Sequence, residues 1–360
     1  MLVLVVNAGS SSLKLRLLDG DDELDAGRDL ALEHGSIDEP QLRGALADMD
    51  RPDAVGHRIV HGGRRYLGPV EIDDRVVVAL RELTDLAPLH QPKSLAALDA
   101  VARALPGVPA VACFDTAFHA TLPAAAATYA LPAAWRERWE LRRYGFHGLS
   151  HAYASRRATE LTGAARIITC HLGAGASLAA VRDGRSIDTT MGFTPLDGLV
   201  MATRPGSIDP GLLLWLLEHG EMDEPEMSQA LEHDSGLVGL AGTDDMREIV
   251  DRAGADDDVA RLALDVYLHR LRAGIAAMAA ALSGLEAIAF TGGVGERAPA
   301  IRAGALAGLE FLGVRIDGAQ NESVDGDKEI TGMGSAARVL VLAAREDLEI
   351  ARQVRHVLNP

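Results

Sequence analysis

The chain repeats itself. Residues 5–20, VVNAGSSSLKLRLLDG, lie over residues 169–184, TCHLGAGASLAAVRDG, with Gly9 on Gly173 and Asp19-Gly20 on Asp183-Gly184. Each segment reads as a strand, a turn of small residues, a second strand and an Asp-Gly turn. Glycine-rich hairpins are common, so chance is one account of the repeat. The other is an internally duplicated α/β fold, each half offering a glycine-lined hairpin whose backbone N–H groups can face phosphate.

The rest of the pattern fits the second account. Strands are predicted at 2–6, 13–18, 54–60, 110–114, 167–170, 178–181, 287–290 and 339–341. Helical spacing covers 92–104, 150–161, 211–219, 257–282 and 345–357. Strands alternating with helices indicate a layered α/β protein. With 360 residues there is material for two cores. Aromatics make up only 4% against 48% hydrophobic residues, so those cores are built from small and branched aliphatics. No Pro- or Ser-rich linker marks a boundary. We place it within 117–150 and expect the last helix to return to the first domain. The expected domains are 1–117 with 347–360, and 118–346.

Several function classes are excluded. The formal net charge is −17 and no Lys/Arg run occurs, which argues against nucleic acid as a partner. Any Arg and His cluster for an anionic substrate must therefore work against the global field. Cys113 and Cys170 sit in apolar strand-like runs without CxxC or zinc spacing and read as buried, reduced thiols. The opening MLVLVVNAGSSS is too short for a signal sequence and lacks a basic start. The Ala-rich stretch at 271–285 is interrupted by Arg272 and is too short to span a bilayer. The expected location is the cytoplasm, with no membrane partner.

The chemistry is sought where polar residues cluster among small ones. There is no GxxxxGK[ST] loop, and the protein-kinase glycine loop with its Lys and HRD partners is also missing. Phosphoryl transfer by another route needs a phosphate cradle, a magnesium site and cations on the moving group. NAGSSSLK (7–14) is a candidate cradle, or a plain turn between strands. GHRIVHGG (56–63) sets His57, Arg58 and His61 at a strand end, where Arg58 is an anion clamp or a surface arginine. In FDTAFH (114–119), Asp115 ends an apolar strand, as a metal-linked carboxylate or as a helix N-cap. RRYGFHGLSH (142–151) spaces His147 and His151 by four residues, but no third zinc ligand follows, and His147 is better suited to hydrogen-bond an anion. CHLGAGAS (170–177) is the second hairpin. GFTPLDGLVMATRPGSIDP (192–210) carries Arg204 among turn formers, and TDDMRE (243–248) offers Asp245 and Arg247. TGGVGE (291–296) is a tight strand-to-helix turn or a place where adenosine approaches the backbone. AREDLEIA (344–351) opens the last helix with acids that are dipole partners or ligands.

These strings, with APLHQP (87–92), occur in an order that resembles the acetate kinase family essentially from end to end. The resemblance implies two duplicated domains of the actin-like, ribonuclease H-like kind, with an active-site cleft between them. It implies reversible, direct in-line transfer of the ATP γ-phosphoryl group to acetate, giving acetyl phosphate and ADP. Magnesium serves as metal, with manganese able to substitute, and the chain is expected to form a homodimer through its second domain.

Residue by residue, the resemblance gives Asn7 and Glu346 to the magnesium site and Ser10, Ser12 and Lys14 to the neighbouring phosphate region. Asp115 is the catalytic carboxylate. Arg58 and Arg204 flank the transferring group and the substrate carboxylate, and His147 hydrogen-bonds the γ-phosphoryl oxygen. His147 and Arg204 together stabilise the transition state. Val60, Leu89, Phe146 and Pro195 line an apolar pocket for a methyl-sized tail. One methylene is worth roughly 1–3 kcal/mol in such a pocket, so propionate is expected to react as well. The nucleotide lies along His171, Leu172, Gly173, Ala174 and Gly175, along Asp245, Met246 and Arg247, and along Gly293, Val294, Gly295, Glu296 and Arg297. Gly293-Val294 resembles the ATP-using members rather than the pyrophosphate-using ones.

The chain departs from the family pattern at Ala174, usually Asn, at Pro205 and Ser207, usually Ser or Cys and Asp, and at Arg297, usually Asn. It is also shorter than typical members, mainly after the first hairpin. These changes bear on nucleotide affinity and turnover more than on reaction type. Two other readings stay open: an acyl kinase preferring propionate or butyrate, and a weakened nucleotide-binding or regulatory protein on the same fold.

Overall fold

The structure is a computed structural model that describes residues 1–9, 12–31, 37–87 and 91–359. The chain divides into two compact units. The first comprises Met1–Ala120, Phe146–Tyr153 and Arg345–Pro360; the second comprises Thr121–Gly145 and Ala154–Ala344. The sequence reading put boundaries at 117 and 347 and left Phe146–Tyr153 in the second domain. That segment joins the first unit because Leu149 packs with Val111, Cys113 and Ile350.

The first unit is built on β1 (Val3–Ala8), β2 (Ser12–Leu18), β3 (Leu24–Ala31), β4 (Ala54–Ile59), β5 (Val70–Glu71) and β6 (Ala110–Phe114), in the order β3-β2-β1-β4-β6-β5. β1, β4 and β6 run parallel, and β2, β3 and β5 pair antiparallel with their neighbours. The second unit has β7 (Arg166–Leu172), β8 (Ala176–Arg182), β9 (Arg185–Thr189), β10 (Ala287–Thr291), β11 (Lys328–Glu329) and β12 (Arg338–Val341), in the order β9-β8-β7-β10-β12-β11. Read from the hairpin inward, the two sheets have the same order and the same directions. The repeat in the sequence is therefore a repeat of a whole sheet. Its register differs by one residue: Asn7 faces Lys14, but His171 faces Ser177 rather than Leu178.

Central parallel strands are covered on both faces, which is why they read as continuous apolar runs. One face of the first sheet packs Leu4, Val6, Leu13, Leu15 and Leu17 against Leu42, Ala97 and Val101. The opposite face packs Val3, Val5, Val111 and Cys113 against Ile350, Ala351 and Val354 of the last helix, Glu346–Leu358. The long helix Asp258–Leu282 starts at an N-cap, Asp257, whose side chain accepts from Val259 N and Ala260 N. It buries Tyr267, Leu271, Ile275 and Met278 and packs on β7 and β8. Cys113 and Cys170 are free and buried, and burial raises both thiols well above their usual range. Among the described residues no helix is long and apolar enough to cross a membrane.

Candidate active site

Three neighbouring parallel strands of the first sheet end in polar side chains. Asn7 and Arg58 are the penultimate residues of β1 and β4, and Asp115 follows β6, its N–H donating to the Ile59 carbonyl at 3.0 Å. The carboxyl ends of parallel strands are where open α/β sheets take their ligands. Arg58 Nη2 donates to Asp115 Oδ2 at 2.6 Å and Nε to the same oxygen at 3.1 Å; Nη1 donates to Asn7 Oδ1 at 3.1 Å. Asn7 Nδ2 donates in turn to Glu346 Oε2 at 2.9 Å, and that oxygen stands 4.0 Å from Arg58 Nε. The sequence spreads these four residues over 339 positions, and the fold brings them into one network.

The electrostatics follow from burial. Asp115 is 1% exposed, and burial pushes its carboxyl up against the pull of Arg58. Burial also works against charge on Arg58, but the carboxylates of Asp115 and Glu346 outweigh it and hold the guanidinium firmly protonated. A guanidinium has five N–H donors, so one on each terminal nitrogen remains for an anion.

His147 immediately precedes Gly148, whose backbone is bonded to that of Asp115. It has φ +56°, uncommon for a residue with a Cβ, and its carbonyl accepts from His151 N in the first turn of the helix Gly148–Thr162. Gly148 N donates to the Asp115 carbonyl at 2.8 Å. A Cβ at Gly148 would lie 2.2 Å from that oxygen, so only glycine lets the helix start against the end of β6. Phe146 is buried, its carbonyl accepts from His119 Nε2 at 3.0 Å, and its ring meets His61 edge-on. Val60 is buried at the end of β4. His57, His61 and His119 are buried, and desolvation lowers each to about 4. Lys14 is exposed on β2 opposite Asn7, and the Ser12 carbonyl accepts from Gly9 N at 2.8 Å. Ser10 and Leu89 lie outside the described residues.

In the second unit, Arg204 is largely buried and Nη1 donates to the Pro195 carbonyl at 2.9 Å. Among the described residues it makes no ion pair. Burial lowers its pKa against the opposing field of Glu232. A guanidinium desolvated without a carboxylate partner is suited to an anion.

The segments expected to hold the nucleotide differ among themselves. The 173–175 turn is closed by Gly173 N on the Gly175 carbonyl at 3.0 Å, and the exposed Ala174 offers its carbonyl to Ala202 N at 3.0 Å. Gly295 lies against Leu172, so the helix Gly292–Arg297 sits beside the end of β7. Glu296 Oε1 accepts from Ala344 N at 3.0 Å, while Arg297 is exposed. Asp245 caps the helix Met246–Gly254 through Arg247 N and pairs with the Arg247 guanidinium at 2.9 Å; Met246 is buried.

The sequence model described as the acetokinase family matches residues 37–352. The chain belongs to the acetokinase family. It is an enzyme of the kinase class. The acetate kinase of Thermosipho melanesiensis is 42% identical over 398 aligned positions, covering 100% of this chain and 98% of the relative. That alignment is longer than the 360 residues here, so the relative carries segments this chain lacks. Among solved structures, Porphyromonas gingivalis acetate kinase superposes with a TM-score of 0.90 at 35% identity, covering 99% of this chain and all of that one. A propionate kinase from Francisella tularensis gives 0.92 at 34% identity, with 99% of each chain covered. The two six-stranded sheets are the two halves of the actin-like fold common to these acetokinase structures.

Sequence reasoning passed over several acetokinase residues that the structure bonds to the candidate site segments. Gly148 had a signal, a glycine directly after His147. Arg143 and Asp197 lie within strings that carry the resemblance but were given no role there, and Arg302 had no signal, because it reads as an ordinary helix-surface residue. Arg302 is 1% exposed and donates to the carbonyls of Gly295 and Glu296 at 2.9 and 2.8 Å, to Asn321 Oδ1 at 2.7 Å and to the Asn321 carbonyl at 2.6 Å.

Proposed function

We propose that this member of the family transfers the γ-phosphoryl group of ATP directly and reversibly to acetate, giving acetyl phosphate and ADP. The observation that carries the reading is the Asn7–Arg58–Asp115–Glu346 network at the strand ends, with the partly buried Arg204, which makes no ion pair among the described residues, as a further anion-seeking group. A phosphoryl group in flight spreads its charge over equatorial oxygens, and guanidinium forks match that charge. Arg58 and Arg204 stabilise it, and His147 donates a hydrogen bond to it. Asp115 orients Arg58 and the incoming carboxylate. That carboxylate is already ionised at neutral pH, so no strong general base is needed.

The donor set fits magnesium. Among the described residues no group of three or more His, Cys, Asp or Glu is arranged for a metal. What the network offers is oxygen: the carboxylates of Glu346 and Asp115 and the Asn7 amide. Magnesium takes one or two carboxylates and fills its remaining positions with water and phosphate. Asn7 and Glu346 would hold it, with manganese an acceptable substitute, and it would neutralise charge on the nucleotide phosphates.

Ser10, Ser12 and Lys14 serve the phosphates. His171–Gly175, Asp245–Arg247 and Gly293–Arg297 serve the nucleotide. The family resemblance assigns the acid's tail to Val60, Leu89, Phe146 and Pro195, of which Val60 and Phe146 are buried in the first unit. The propionate kinase likeness supports acceptance of propionate as well. The enzyme is cytoplasmic and works as a homodimer through its second unit. The helix Pro210–His219 supports the dimer: it buries none of its residues and exposes Leu212, Leu214, Trp215 and Leu217.

The deciding experiment is hydroxylamine trapping of acyl phosphate from ATP with acetate, propionate and butyrate in turn. A hydroxamate with acetate at the highest kcat/KM supports the reading. A preference for a longer acid makes this a different acyl kinase, and no product with any acid points to a binding or regulatory protein.

A further inference from the structure

The loop carrying Pro195 and Arg204 is folded on itself, and one carboxylate sits at its crossing. Asp197 Oδ1 accepts from Gly198 N at 2.8 Å and from Ser207 Oγ at 2.6 Å. Its Oδ2 accepts from Arg143 Nη1 at 3.3 Å. Arg143 Nη1 is itself held by the carbonyls of Thr190 and Met191 at 2.9 and 2.8 Å. Ser207 N donates to the Gly198 carbonyl at 3.0 Å, so positions 198 and 207 are joined through backbone and side chain alike. The crossing is tight. Gly206 has φ +74°, and a Cβ there would lie 2.4 Å from the Leu199 carbonyl oxygen and 2.5 Å from that of Gly198.

Arg204 lies inside this closed loop, three residues before Ser207, and its guanidinium bonds to the carbonyl of Pro195, two residues before Asp197. Among the described residues it makes no ion pair, and its guanidinium is held by the loop's own backbone. Asp197 is committed to Arg143, Ser207 and Gly198, which fixes the two sides of the loop to each other. Ser207 suits this role: its hydroxyl donates to Asp197, whereas a carboxylate at 207 could only accept.

We propose that Asp197, held by Arg143 and Ser207, is a positioning residue for Arg204 that keeps the guanidinium aimed. The proposal rests on the phosphoryl-transfer reading above.

The test is a double-mutant cycle. Asp197→Asn is nearly isosteric and keeps an acceptor for Ser207, but it loses the charge facing Arg143. It is measured in the wild type and in Arg204→Ala, with kcat, both KM values and thermal unfolding recorded. In the wild type we expect kcat to fall roughly 10- to 100-fold, the cost of a small misplacement at the reacting centre, with the ATP KM changed less than about twofold. In Arg204→Ala, Asp197→Asn should cause no further loss, because it acts through a side chain already removed. Ser207→Ala should show a smaller loss with the same non-additivity, and Ser207→Thr should restore turnover. Equal fold-losses in both backgrounds, or unchanged kcat in the wild type, overturn the proposal. If Asp197→Asn unfolds the protein, the Ser207→Ala cycle decides by the same criterion. A wild-type protein that forms no acyl phosphate overturns the underlying reading; an active wild type with additive losses overturns the positioning role alone.

Discussion

Arg58 and Asp115 form a two-point ion pair at the ends of adjacent parallel strands, Nη2 to Oδ2 at 2.6 Å and Nε to the same oxygen at 3.1 Å. Asp115 is almost wholly buried, so removing Arg58 strands a carboxylate in low dielectric. Such a loss costs about 3–5 kcal/mol of stability. Arg58→Ala should therefore lower kcat by ~10²-fold or more and lower the unfolding temperature as well. Arg58→Lys restores one charge but not the planar fork, so it should recover the unfolding temperature better than it recovers kcat. Thermal unfolding and steady-state kinetics on both variants check this; near-normal turnover of Arg58→Ala would remove Arg58 from the active site.

The buried histidines make stability depend on acid. His57, His61 and His119 each drop from 6.5 to about 4 on folding, because burial disfavours the charged ring. Between those values the unfolded chain binds more protons than the folded one, so stability falls as pH falls. The contribution is complete above pH 6.5 and is lost as pH drops through about 4. Each histidine adds about 1.4 kcal/mol per pH unit inside that window. Denaturant unfolding between pH 7 and 4.5 should show this slope. His119→Gln keeps a donor for the Phe146 carbonyl, cannot take a proton in this range, and should flatten the slope by one histidine's share. An unchanged slope would place the acid sensitivity elsewhere.

What the sequence made legible follows from which signals are local. Asn7, Arg58 and Asp115 each lie at or just past the end of a buried apolar strand, and a polar residue there stands out without a structure. The helix reading of 257–282 matched Asp258–Leu282 because its capping acid and apolar period lie in one stretch. β3 was missed because LDAGRDLA is largely exposed at a sheet edge and mixes charges into its pattern. The one-residue difference between the two hairpin registers was invisible, since strings of equal length superpose whatever their cross-strand pairing. The Asp197–Arg143 and Arg302–Asn321 contacts join separate segments, and no periodicity reports on such pairings.

Arg302 carries the next prediction. Its buried guanidinium meets four oxygen acceptors and, among the described residues, no carboxylate partner; burial lowers its pKa. Arg302→Met fills part of the space but leaves the Gly295 and Glu296 carbonyls and both Asn321 oxygens without their donor. Each buried acceptor left unsatisfied costs about 1–3 kcal/mol. The unfolding temperature should fall by roughly 5 °C or more, taking 2–4 °C per kcal/mol for a domain of this size. Arg302→Lys, able to serve only some of the acceptors, should fall between. A Met variant as stable as the wild type would mean that water replaces the lost donors.

The final prediction concerns Ala174, where the family usually has Asn. Its side chain is exposed at the hairpin turn, and its carbonyl is already engaged by Ala202 N, so Asn fits without disturbing the backbone. Gly173 N is committed to the Gly175 carbonyl, which removes one backbone N–H from any phosphate contact at this turn. A side-chain amide at 174 would supply a donor in its place. A hydrogen bond to a charged group is worth roughly 1.5–3 kcal/mol before competition from water. Ala174→Asn should therefore lower the KM for ATP several-fold and leave the KM for acetate unchanged. The exposed Arg297, usually Asn in the family, is the competing source of compensation. Improved ATP binding in Ala174→Asn, with Arg297→Asn neutral, places the missing contact at the hairpin. No change in Ala174→Asn, with weaker ATP binding in Arg297→Asn, places the compensation at Arg297.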